Sequence, residues 1–232
     1  MPCIYAQNHF QNIENFKEGT TLLFQQCKTD IFETGGAGNN TTWDYSGLKK
    51  ENRTITQWII SPEKSSGGAA YPGATLVEKY ADGKYVFLKA DKSKTYLLGF
   101  TDETSKVNIR YDQPVLIAKR PFSYKDTVIE SYTTSYTVNG MDFSGTGTVN
   151  IEADGFGTLI LPDKTYTNTL RIKITQKQTD TSKQHQLTNE LTIITYAWFD
   201  KNHTSALLKM TETTSQYHSD KSIEYLLSET IK

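Results

Sequence analysis

The 232-residue chain contains no run of about 18 apolar residues, which excludes a membrane-spanning helix. It has two cysteines, Cys3 and Cys27, whose spacing fits neither a zinc site nor a redox Cys-x-x-Cys pair. They are expected to stay unpaired as small hydrophobes; a single disulfide tying down the N-terminus is the lesser alternative. No sign of charge dominates. The 25 basic and 26 acidic residues leave a net charge of −1 and are spread along the chain. The basic stripe of a nucleic-acid binder is therefore missing. Histidine is scarce: among His9, His185, His203 and His218 no two stand at metal-ligand spacing, and His218 near Asp220 lacks a third ligand.

Catalytic signatures are missing as well. There is no Gly-x-Ser-x-Gly elbow, and Ser144-Gly145 falls in mid-strand, the wrong geometry for an exposed nucleophile. The run Gly35 to Leu48, GGAGNNTTWDYSGL, is the most site-like stretch. It lacks the third glycine of a dinucleotide fingerprint and the Lys-Ser/Thr of a phosphate loop. Its second half, TTWDYSGL, has strand composition, so no helix N-terminus waits to receive an anion. The run reads as a tight surface loop leading into a strand, with Trp43 and Tyr45 turned to the core and Asp44 outward. No catalytic residue, metal ligand or cofactor site is assigned.

What is present is aromatic and β-forming. Hydrophobic residues make up 36% of the chain, with 14 Tyr and 10 Phe, enough to build a core. Tyr and Thr are abundant and Ala is scarce, which suits pleated sheets. Period-two alternation predicts strands at 19–28, 53–60, 74–80, 84–90 and 94–101, with tight turns at 81–84 and 91–94. The segment 61–73 reads as a Pro/Gly/Ser loop. A long hairpin is expected over 166–178 and 186–199, then a turn at 200–203, a strand at 206–211, and a strand or short helix at 222–229. Only Asn8 to Phe16 and that last segment carry any helical period. The fold class is all-β: a large antiparallel curved sheet forming an open barrel, or a two-layer β-sandwich. One domain spans 19–232, preceded by an N-terminal segment, 1–18.

The sharpest local inference comes from Asn139-Gly140, the favoured type I′ pair. It sets Val138 opposite Met141, and outward from there Tyr136 opposite Phe143, Thr134 opposite Gly145, Tyr132 opposite Gly147 and Val128 opposite Ile151. Met141, Phe143, Val149 and Ile151 then share an apolar face, while Asp142, Ser144, Thr146 and Glu152 share a wet one. Gly145 and Gly147 imply a bend, with an aromatic ring covering the bare backbone.

Two passages, GAGNNTTWDYSGL (36–48) and ADGFGTLILPDKTYTNTLRIKITQ (153–176), the latter followed by YAWFD and ALLKM, resemble secreted β-rich proteins of Bacteroidetes-type bacteria. Tyr45 takes the aromatic slot of their Trp-Asp-Phe/Tyr-Ser pattern. The strand order is also similar to that of half-barrel carrier-type folds. The matching stretches cover about a third of the chain and imply lineage without assigned chemistry. Proteins of this group often end in a Por-secretion sorting tail, whereas this chain stops at Ile231-Lys232 without one. At the other end, MPCIYAQNHF lacks the apolar stretch of a signal peptide, yet IYAQ-N resembles the tail of one near Ala6 and Gln7. The expectation is an export signal trimmed with Met1 added, or a displaced start, and hence a secreted, periplasmic or cell-surface location. Sequons at Asn39/Asn40, Asn52 and Asn202 match the glycosylation pattern, as chance allows in a chain rich in Asn and Thr.

The remaining candidates are aromatic. Trp58, Tyr132, Tyr136, Phe143, Tyr196 and Trp198 either line a concave cavity for an apolar ligand or fill the core. Glu130, on the face of Tyr132 and Val149, is either an edge residue or a ligand contact. The functional expectation is a non-enzymatic secreted or envelope protein binding an apolar or lipid-like ligand in a concave sheet. The alternative is a surface carbohydrate-binding or adhesion module; a β-sandwich hydrolase comes third. The three readings differ in what they require: an apolar interior cavity, an exposed Tyr/Trp row, or two inward carboxylates about 5–10 Å apart.

Overall fold

Strands that alternate in polarity pair side by side, and here all but one of them close on themselves. The structure, a computed structural model, describes residues 9–138 and 140–231, so Cys3 and the Ala6-Gln7 region lie outside the described residues. It is all-β. Its strands are β1 (Thr20–Cys27), β2 (Gly38–Asp44), β3 (Lys50–Ile60), β4 (Leu76–Tyr80), β5 (Lys84–Ala90), β6 (Lys94–Asp102) and β7 (Val107–Lys119). They continue with β8 (Thr127–Val138), β9 (Met141–Ile160), β10 (Thr165–Ser182), β11 (Leu187–Phe199), β12 (Leu208–Ser215) and β13 (Ser219–Ile231). Each strand from β3 onward pairs antiparallel with the next, β13 returns to β1, and β1 pairs with β3. The curved sheet is thus a closed barrel, which removes the exposed edges an open one would carry. The odd member is β2. It runs parallel to β9 over 155–160, beyond the stretch where β9 pairs with β8.

The hairpin register follows the turn chemistry. Val138 faces Met141, Tyr136 faces Phe143, Thr134 faces Gly145, Tyr132 faces Gly147 and Val128 faces Ile151. A Cβ on Gly147 would overlap the Tyr132 ring, so the missing side chain is what lets that ring lie on the backbone. The helical periods at 9–16 and 222–229 are not realised. The tail is strand β13, and the N-terminal stretch is irregular, with Phe10 bridged to Phe122 and a turn closed by the Asn15 N–H donating to Asn12 O (3.0 Å).

Three packing regions follow from which face each side chain takes. Facing inward, Ile151, Ile172, Ala197 and Phe199 meet Phe10, Ile13 and Phe122. Outside the barrel, Trp198, Leu208 and Tyr225 are covered by the segment 28–48, which includes β2 and brings Trp43 and Tyr45 onto them. A second outer cluster, Val77, Phe87 and Leu98, lies under the 61–75 loop, where Tyr71 stacks on Phe87 at 3.9 Å. One end of the barrel is plugged. The Asn12 amide donates to the carbonyls of Asp200 (2.9 Å) and His203, the Glu14 N–H donates to Thr204 O (2.9 Å), and Arg120 donates to Ile13 O (2.7 Å). These bonds fasten residues 10–16 across the turns that close β7–β8 and β11–β12.

Candidate functional site

The plug carries one acidic side chain into the lumen. Glu14 adopts φ +49°, a left-handed conformation that a non-glycine residue enters only when its surroundings hold it there. Its neighbours are Lys209 on β12, Glu78 on β4, and Arg120 and Glu229 near the plugged end. They sit where alternation places them: Leu208 and Met210 turn out beneath the 28–48 strap, so Lys209 turns in. Glu224 turns in for the same reason, between Ile223 and Tyr225. Lys209 Nζ pairs with Glu224 Oε1 at 2.6 Å and lies 4.6 Å from the Phe24 ring centre. Glu78 accepts a hydrogen bond from Tyr80 Oη at 3.1 Å, beside the buried Gln57.

Protein encloses these groups, yet Lys209 and Glu224 keep 27% and 21% of their side-chain surface open. The open surface of Lys209 faces a partly enclosed chamber. A cavity of about 100 Å³ lies here, walled by Ile117, Phe122, Ile151, Ile172, Ile174 and Phe199, with Glu14 and Lys209 at its polar end. Enclosure governs the proton chemistry. Burial, reinforced by the Glu78 and Glu229 carboxylates against the pull of Lys209 and Arg120, raises the Glu14 pKa from 4.5 to about 8. Burial likewise raises Glu78. Burial alone would lower Lys209, but the Glu224, Glu14 and Glu78 carboxylates outweigh it and hold the ammonium well above its ordinary range. At neutral pH the chamber therefore presents an un-ionised Glu14 carboxyl next to a paired, charged Lys209.

Nearer the other end, Gln176 donates to Tyr132 Oη (2.8 Å), Tyr132 donates to Gln178 (3.0 Å), and the Gln178 amide donates to Asp180 (2.8 and 2.9 Å). Tyr136 stacks on Phe143 at 5.3 Å. Tyr132, Tyr136 and Phe143 are thus brought together on the inner face. Tyr196 and Trp198 lie on the outer face instead, where Tyr196 stacks with Arg171 and Trp198 is fully buried against Trp43. Trp58 stands on the outer face of β3, opposite Thr21 and Lys79, because its neighbours Gln57 and Ile59 are the inward ones. The six aromatic candidates form no single site. Glu130 pairs with Lys94 at 2.7 Å, the expected end of a sheet-edge carboxylate.

The GGAGNNTTWDYSGL run holds the strap to the barrel. Arg171 pairs through Nε and Nη2 with Asp154 (2.7 and 2.9 Å), and its Nη1 donates to the carbonyls of Thr34 (2.6 Å) and Gly35 (3.1 Å). Its guanidinium lies 5.3 Å from the Trp43 ring and 5.8 Å from Trp198. Gly157 lets the Thr41 backbone approach, and Gly155 faces the Trp43 ring. A surface groove of about 270 Å³ remains beside Ile31, Tyr45 and Leu48. Among the described residues no group of three or more His, Cys, Asp or Glu side chains is arranged to hold a metal. Sequence reasoning passed over Glu14, Glu78, Lys209, Glu224 and Arg171. The one available signal was a charged residue alternating with large apolar ones, as Lys209 does between Leu208 and Met210 in ALLKM. Comparison with protein-family models, with curated proteins and with solved structures finds no match.

Proposed function

We propose that this protein is a non-catalytic binding protein that holds a small, largely apolar ligand inside its barrel. The observation that carries the reading is the partly enclosed chamber beside Glu14 and Lys209, mostly apolar on its walls and polar at one end. Its size sharpens the expected ligand. A cavity of about 150 Å³ takes benzene, so one of about 100 Å³ suits a chain of a few carbons and not a long acyl tail. The other readings are less well supported. Among the described residues the large exposed hydrophobics include Tyr217 but no tryptophan, so no aromatic row faces outward for sugars. The inward carboxylate that lines the chamber, Glu14, stands in a space too small for a glycan. A location outside the cytoplasm belongs to the same proposal and rests on the resemblance of residues 36–48 and 153–176 to secreted proteins.

The test is a thermal-shift series with 1-butanol, 1-hexanol and palmitate. Short alcohols are expected to raise the melting temperature in proportion to occupancy, and palmitate to leave it unchanged. Filling the chamber with Ala118→Leu, at a buried wall position, should abolish the response. Flat melting temperatures with every short apolar compound would sink the reading.

A further inference from the structure

The charged groups around the chamber are not equivalent. Glu224 is held by Lys209 at 2.6 Å. Glu78 accepts from Tyr80, and Lys84 lies within electrostatic range of it. Arg120 directs Nη1 at Ile13 O (2.7 Å) and Thr95 Oγ1 (2.9 Å), and Nη2 at Asp91 O (2.6 Å). Glu229 accepts from the N–H and hydroxyl of Thr204. Glu14 alone of these groups has a side chain with no hydrogen-bond partner among the described residues, and it lines the chamber from a backbone held at positive φ. A buried carboxyl without a donor is costly to keep. The missing donor is one a ligand can bring.

We propose that the barrel binds a short primary alkylammonium ion, its carbon chain lying among Ile151, Ile172 and Ile174 and its ammonium seated on the Glu14 carboxylate. This rests on the reading of the lumen as an apolar ligand chamber. Cation is favoured over anion by the surroundings. An incoming carboxylate would meet Glu14, with Glu78 and Glu224 behind it, while of the two lysines at the chamber Lys209 is already paired with Glu224 and Lys119 is exposed to solvent. A neutral alcohol would satisfy the hydrogen bond and supply no charge. In the unliganded barrel Glu14 carries its proton, since burial raises its pKa to about 8. When the ammonium docks, that proton leaves to solvent and the carboxylate pairs with the new cation, so charge balances with one H⁺ released per ligand. Affinity should therefore rise about tenfold per pH unit below pH 8 and level off above it.

The experiment is calorimetric titration of the full chain with n-butylammonium, 1-butanol and butyrate, at about pH 6.5, in two buffers with different heats of ionisation. The expected result is tightest binding for n-butylammonium, with about one proton released. Glu14→Gln should weaken n-butylammonium by roughly tenfold or more while leaving 1-butanol within about twofold. Binding of 1-butanol as tight as n-butylammonium, or n-butylammonium binding without proton release, overturns the proposal and keeps the chamber reading. Preference for butyrate overturns it in favour of Lys209 as the head-group contact. If none of the three binds, both proposal and reading fall. Should the variant not fold, the wild-type proton count decides alone.

Discussion

Arg171 and Glu14 are both ionisable residues packed among protein groups, and their surroundings treat them in opposite ways. Arg171 meets a bidentate carboxylate, two backbone carbonyls and three aromatic rings, and its side chain is 1% exposed. All three of its nitrogens are engaged. Glu14 faces an apolar chamber with no hydrogen bond to its carboxyl and remains protonated to about pH 8. A buried charge that is fully paired holds two parts of a protein together. On the proposal above, one that is left without a partner is where the ligand's ammonium docks.

The comparison breaks first at the strap. Arg171→Leu leaves Asp154 buried without its partner, and the expected loss is about 3–5 kcal/mol in urea denaturation, with residues 28–48 newly open to protease. A loss below about 1 kcal/mol would show that the pair does not fasten the strap.

Next comes Glu14→Gln, whose effect depends on pH. Unfolded, the carboxyl titrates at 4.5; folded, it keeps its proton to about 8. Between those values the folded state binds more protons, so this group makes stability fall as pH rises, at up to ~1.4 kcal/mol per unit, and the fall stops above pH 8. His203, raised by its hydrogen bond to Asp200, adds a loss of the same sign, but it is present in both proteins and cancels. The amide that replaces the carboxyl has no proton to release. The variant should match wild type near pH 4.5 and exceed it by a few kcal/mol at pH 8, read as the gap between urea midpoints. Parallel pH profiles would show that Glu14 ionises freely in the folded state. The smallest effect is reserved for the exposed pair at 3.7 Å between Asp30 of the strap and Lys49 just after it. Lys49→Ala should cost about 0.5 kcal/mol or less by the same assay. A cost approaching that of Arg171→Leu would shift the clamp to surface charge.

Much of the barrel could be read from alternation and turn chemistry. Asn139-Gly140 set a whole hairpin register, and the meander over β4 to β6 follows from the turns at 81–84 and 91–94. Strand β7 could not be read so easily, because Pro114 interrupts VNIRYDQPVLIAK. In the structure Pro114 falls where the ladders to β6 and β8 both break, the position a proline tolerates. Phe10, Ile13 and Phe16 look helical by spacing, yet each is drawn individually into the core, and tertiary packing overrides the period. The chamber was hidden for a subtler reason. Alternation shows that two faces differ but not which is inside. Once a strap covers the outer apolar face of β12 and β13, Lys209 and Glu224 become the inward residues.

The pairing of β1 with β13 carries a consequence for how the chamber comes into being. Residues 20–27 and 219–231 are neighbours in space and nearly the whole chain apart in sequence. Joining them requires a loop of almost full chain length to close, a slow step for a β topology. During synthesis the β1 edge therefore stands open until the last strand emerges. The wall beside the acidic chamber is completed only at that final seam, so a small solute present at the moment of closure can be enclosed without ever crossing a finished barrel.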